Sequence, residues 1–124
     1  MLLEDQQFTQ LTPPPNTGGG VVYRMCDFEG ISDQPLGETD AIFRNCDFSG
    51  AEFRSNTFIQ TLFAECQFED CIFIGIEFLD CRFLDCTFVG CRFAGNDNPP
   101  SCSFHGTKFY GCTQTDCQGL EGLL

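Results

Sequence analysis

From Phe43 a phenylalanine falls at every fifth position, through Phe48, Phe53, Phe58, Phe63, Phe68, Phe73, Phe78, Phe83 and Phe88 to Phe93. Phe28 lies in the same register upstream, while Phe104 and Phe109 resume it one residue late, after Asn96–Pro100. Phe8 reads as standing outside the array. The cysteines obey the same period: Cys26, Cys46, Cys66, Cys71, Cys81, Cys86, Cys91, Cys102, Cys112 and Cys117 each lie two residues before a pentad centre. Where that position is not Cys it is Ala41, Ala51, Asn56, Thr61, Ile76 or Thr107, so it reads as crowded and inward. The residues between are mixed and often charged, as in Cys81-Arg82-Phe83-Leu84-Asp85, and read as facing solvent.

Neither common element carries such a stripe. At ~3.6 residues per turn a helix would rotate successive Phe by about 140°. A flat strand, with its period of two, would put Phe43 and Phe48 on opposite faces. A repeat of five therefore implies a bend within each pentad, and four bends close a square coil of about 20 residues. Stacked coils predict Phe columns 43/63/83, 48/68/88, 53/73/93 and 58/78. Each enclosed ring contributes roughly 1.5–3 kcal/mol of burial.

On these pentads, Ala51-Glu52-Phe53-Arg54-Ser55 and Cys71-Ile72-Phe73-Ile74-Gly75 among them, the chain resembles the pentapeptide-repeat family. The resemblance implies an all-β fold, a right-handed quadrilateral β-helix of four to five coils with the central Phe and the small residue inward. It covers Val21 to Gly111 and fades over Cys112 to Glu121, where Gln114 and Gly119 take the centres. The expected organisation is a cap or flexible tail over residues 1–20, the β-helix over 21–121 and a tail over 122–124. In the cap reading, Leu2, Leu3, Phe8 and Leu11 fold over the first coil; Leu120, Leu123 and Leu124 are candidates to cover the last. Residues 31–40 and 96–101 read as loop interruptions, the first because Pro35 and Gly37 occur without Phe at the centres, the second because the register shifts.

Charge narrows the function. Asp and Glu outnumber Lys and Arg by 18 to 6, and a net charge of -12 disfavours direct nucleic-acid binding. Residues 1–11 carry Glu4 and Asp5 without a basic leader, and no run is long enough to span a membrane. The expectation is a cytoplasmic protein with reduced thiols. Inward, apolar placement makes Cys46, Cys66, Cys71, Cys81, Cys86, Cys91 and Cys102 structural, and their five-residue spacing is not that of a zinc site. His105 is the only histidine, and no nucleophile, phosphate loop or cleft for paired acids stands out. No catalytic residue, metal or cofactor is expected.

The outward positions hold what remains. The 20-residue rule groups Asn45/Glu65/Asp85 and Gln60/Asp80 into polar or acidic rows. An apolar group, Ile72 and Ile74 beside Phe73 with Ile59 and Leu79 in one row, joins Glu65, Asp80 and Asp85 as the candidate interaction surface. The leading expectation is a non-enzymatic interaction module with a protein partner, as in many small bacterial and cyanobacterial proteins of the resembled family, monomeric or weakly dimeric. A second is similarity to quinolone-resistance pentapeptide proteins, whose acidic rods imitate DNA and engage type II topoisomerases. A rod of roughly 20–25 Å would span only six or seven base pairs. A third is a thiol-based metal or redox protein.

Overall fold

The computed structural model describes residues 1–9, 20–32, 39–54, 56–94, 102–120 and 122–124. In most described pentads the centre and its two neighbours form a three-residue strand, in the others a single bridge, and the residue after them turns the corner. Four walls result, and every strand pair is parallel. The first wall stacks six strands: Leu2–Glu4, Val22–Arg24, Ile42–Arg44, Leu62–Ala64, Arg82–Leu84 and Lys108–Tyr110. The second holds Gln67–Glu69, Thr87–Val89 and Thr113–Thr115, extended by bridges linking Gln7, Asp27 and Asp47 to Gln67. The third holds Glu52–Arg54, Ile72–Ile74 and Arg92–Ala94, and the fourth Thr57–Ile59, Glu77–Leu79 and Ser103–His105. This is an all-β solenoid with coils of about 20 residues, as Phe43 opposite Phe63 shows.

The centres fill the interior as four aromatic columns. Tyr23, Phe43, Phe63, Phe83 and Phe109 stack with centroids 4.7, 5.0, 4.7 and 4.8 Å apart. Neighbouring columns meet edge to face, as at Phe63 and Phe68, 5.8 Å apart at 64°. Offset stacking along a column and edge contact across it are the two arrangements that a ring quadrupole favours. Phe43 to Phe93 are buried throughout, whereas Phe104 and Phe109, in the last coil, are half-buried.

Each corner needs one residue in the left-handed region. Asp5, Asp40, Asp70, Asp80, Asp85 and Asp116 supply it, with Met25, Asn45, Gln60 and Glu65, all at φ between 50 and 57°. Gly occupies the other described corners. Asp and Asn tolerate this region because a short polar side chain can bond locally, and Gly because it lacks Cβ. Two remaining aspartates serve the corners differently: Asp27 Oδ1 accepts the Glu29 N–H at 2.8 Å, and Asp47 Oδ1 accepts the Ser49 N–H at 2.9 Å. Every described aspartate therefore has a backbone task.

The inward small position closes the corner beneath it. Cys66, Cys81, Cys86, Cys91 and Cys112 donate their S–H to the carbonyls of Phe43, Phe58, Phe63, Phe68 and Phe83, at 3.1–3.2 Å. Cys102 does both jobs, donating to the Phe73 carbonyl at 3.3 Å and accepting the Ile76 N–H at 3.5 Å. The Thr107 hydroxyl repeats this with Phe78 and Cys81, at 3.0 and 3.2 Å. Above Ile31, Ala51 has no such group, and that corner closes on itself as a turn through Gly30, with the Ile31 N–H bonded to the Phe28 carbonyl at 3.2 Å.

Several expectations change. Phe8 belongs to the array: it lies on Phe28 at 5.0 Å and is buried. Leu2–Glu4 is neither cap nor tail but the outermost strand of the first wall, paired in register with Val22–Arg24; Leu11 lies outside the described residues. Within 31–40, Ile31 is buried, Ser32 pairs with Glu52 and Thr39 with Ile59, both 20 residues on, so no net insertion occurs there. Residues 33–38 lie outside the described set, as does 95–101. Pairing passes from Ala94 opposite Ile74, 20 residues back, to Ser103 opposite Glu77, 26 back, which puts six extra residues between them. Past Gly111, where the sequence repeat fades within the expected 21–121 span, Thr113–Thr115 pairs with Thr87–Val89, and Gly119 takes a centre because a Cβ there would come within 2.2 Å of the Phe93 carbonyl. Leu120 is buried, but Leu123 and Leu124 are exposed and cover little. Cys102 is half-buried where a fully inward thiol was expected, because it belongs to the last coil.

Truncating Phe63 to Ala is expected to cost roughly 3–5 kcal/mol in urea denaturation, and Phe104→Ala distinctly less. If both cost the same, the columns are not continuous. At the Asp85 corner the backbone sets the outcome: Asp85→Gly and Asp85→Asn should be near neutral, and Asp85→Ala should cost about 1 kcal/mol.

Candidate interaction surfaces

The four outer walls differ in chemistry. On the first, the residues before the centres form an aliphatic column, Leu2, Val22, Ile42 and Leu62, continued by Arg82 and Lys108. The row after the centres runs Glu4, Arg24, Arg44, Ala64, Leu84 and Tyr110. Arg24, Arg44, Arg82 and Lys108 thus gather four of the six Lys and Arg of the chain. Arg24 pairs with Glu4 at 2.8 Å across adjacent coils. Two shallow depressions lie on this wall, one around Ile42, Arg44, Leu62 and Leu84, the other reaching from Leu62 and Arg82 to the Asp80 corner. Tyr110 is 50% exposed at its far end.

The second wall is the contrast. Asp27, Glu29, Asp47 and Glu69 face outward on one half of it, and its other half is Thr87, Val89, Thr113 and Thr115, with no Lys or Arg among its described residues. The carboxylates of Asp27, Glu29 and Asp47 lie within 4.8 Å of one another. Two of them are already committed to corner N–H groups, which accounts for the cluster as turn chemistry.

The residues expected to form one interaction surface are spread around the solenoid. Glu65 and Asp85 stack at the corner between the first and second walls, and Asp80 stands at the corner between the fourth and first. Ile59 and Leu79 do share a row, on the fourth wall, with His105 next in it. Ile72 and Ile74 are on the third wall, Ile72 between Glu52 and Arg92 and Ile74 between Arg54 and Ala94. All four aliphatics are half-buried. The first-wall column was legible in the same 20-residue arithmetic, since Val22, Ile42 and Leu62 each precede a centre.

The thiols form columns of their own. Cys26, Cys46, Cys66, Cys86 and Cys112 stack at one corner, and Cys71, Cys91 and Cys117 at the next. Burial pushes the Cys66 and Cys81 thiols above their ordinary range, which keeps them protonated donors to the carbonyls. Seven thiols are buried, and Cys102, Cys112 and Cys117 are half-buried.

No family model matches the chain, and no curated protein matches it in sequence. Solved structures do match in fold. A trypsin-treated variant of QnrB1, a plasmid-mediated fluoroquinolone resistance protein, superposes with a TM-score of 0.56 at 17% identity, over 94% of this chain and 67% of that one. The pentapeptide repeat protein Rfr23 from the cyanobacterium Cyanothece 51142 matches with a TM-score of 0.46 at 9% identity, over 94% of this chain and 86% of that one. The five-residue period, the four walls and the inward aromatic columns together make this chain a pentapeptide-repeat protein in fold.

Proposed function

We propose that the chain is a non-enzymatic interaction module of the cytoplasm, monomeric or weakly dimeric, that docks a protein partner on its first wall. The observation that carries this is the joining of an aliphatic column with four cations on one flat, rigid face, against a net charge of -12 for the whole. Apolar area supplies burial, and the arginines select a partner surface with carboxylates around an apolar centre. Asp80 and the Glu65/Asp85 corner flank the face and repel acidic partners that miss the arginines. Direct nucleic-acid binding is disfavoured by the same acidic surroundings.

The second wall favours a second reading, a short DNA mimic acting on a topoisomerase or another DNA-binding enzyme, since Asp27, Glu29, Asp47 and Glu69 are outward there. Against it stands the structural employment of the aspartates, which would be acidic here with no DNA-binding partner at all.

A pull-down from host extract separates the two. The first reading expects Ile42→Glu with Leu62→Glu to lose the captured protein, and Glu29→Lys with Glu69→Lys to keep it. The reverse pattern, with a DNA-binding enzyme captured, overturns it in favour of mimicry. Ile72→Glu on the third wall is the control and should change nothing.

A further inference from the structure

Three thiols are half-buried, Cys102, Cys112 and Cys117, and all belong to the last coil. Their neighbours beneath differ. Phe109 pairs with Phe83, which sets Cys112 on Cys86, and Gln114 pairs with Phe88, which sets Cys117 on Cys91. Cys112 and Cys117 therefore each lie one coil above a second thiol in the same corner column. The Cys91 N–H also reaches Cys117 Sγ at 3.4 Å. Phe104 pairs with Phe78, which sets Cys102 on Ile76, where no thiol waits. Coils rise by ~4.8 Å, inside the ~4.4–6.8 Å that Cα atoms span in disulfides.

We propose that Cys112 and Cys117 are oxidation sites, each closing a disulfide with the thiol beneath it, Cys86 and Cys91, when a low-molecular-weight disulfide such as oxidised glutathione is the oxidant. The Cys112 thiolate attacks one sulfur of the oxidant, and one reduced thiol leaves with its electron pair. Cys86 then attacks the Cys112 sulfur of that mixed disulfide and expels the second. The net change is two protein thiols and one small disulfide converted to one protein disulfide and two small thiols, which carry away both protons. The pair is accessible on one side only, so the exposed sulfur reacts first and the buried one resolves it. The cost is structural: Cys112 loses the S–H it donates to the Phe83 carbonyl, and Cys86 the one it donates to Phe63. Such a disulfide is correspondingly easy to reduce.

The test treats the native protein with oxidised glutathione, alkylates the remaining thiols in denaturant and maps the digest by mass spectrometry. Expected are Cys86–Cys112 and Cys91–Cys117 cross-links, reversed by dithiothreitol, with Cys102 found only as its glutathione adduct. Glutathione adducts persisting at Cys112 and Cys117, free thiols at both, or cross-links to any other cysteine each overturn the proposal. Cys112→Ser keeps a hydroxyl donor for the Phe83 corner and should leave Cys86 an unmodified thiol. Oxidation of Cys86 in that variant counts against Cys112 as its point of entry.

Discussion

The structure depends on turning the backbone through a corner every fifth residue, which requires one residue there in the left-handed region. Once this is met, the three residues between corners are extended, alternate residues point inward, and coils fall into register at 20 residues. The composition follows from the constraint. Gly, Asp and Asn accumulate at corners because they reach that region at least cost. Asp27 and Asp47 add a hydrogen bond to the turns that contain Glu29 and Ser49. Among the described residues, much of the acidity is thus a consequence of bending the chain, whereas glutamates on the walls, such as Glu29, Glu69 and Glu77, are free of that explanation.

The interior uses two kinds of group in alternation. Rings supply apolar area and stack with each other; thiols and hydroxyls satisfy the corner below. A buried carbonyl or N–H left without a partner costs more than a typical hydrogen bond gains, so where the residue two before a centre is Cys or Thr it serves by reach as well as size. Cys and Thr at that position are interchangeable in role, as Thr107 and Cys102 show. Ala51 is tolerated where Gly30 lets the corner bond to itself.

The period made the coil size, the wall count and the Phe columns legible, because a repeated core position has only one geometric solution. Residues that keep the backbone register without the side-chain signature were not legible as walls. Phe8 seemed isolated because the centres between it and Phe28 are Pro13, Gly18 and Tyr23; yet it is one coil from Phe28 and stacks on it. Ser32 and Thr39 lie beside a Pro- and Gly-bearing stretch and still pair at 20 residues, since backbone ladders ask little of the side chain. The acidic rows were correctly grouped and their meaning missed: period alone does not show that Asp80 and Asp85 sit at positive φ. The candidate aliphatics scattered for a related reason, as Ile59 and Ile72 are close in sequence but separated by a corner.

The passage from a 20- to a 26-residue offset between Ala94 and Ser103 shows how this architecture absorbs change in length. The same columns resume on the far side, with Phe104 on Phe78 and Phe109 on Phe83 at 5.0 and 4.8 Å. Closing the longer connection costs on the order of 1 kcal/mol in chain entropy, less than losing one stacked ring. The solenoid accordingly tolerates extra length between two walls while its registers and columns on either side are kept.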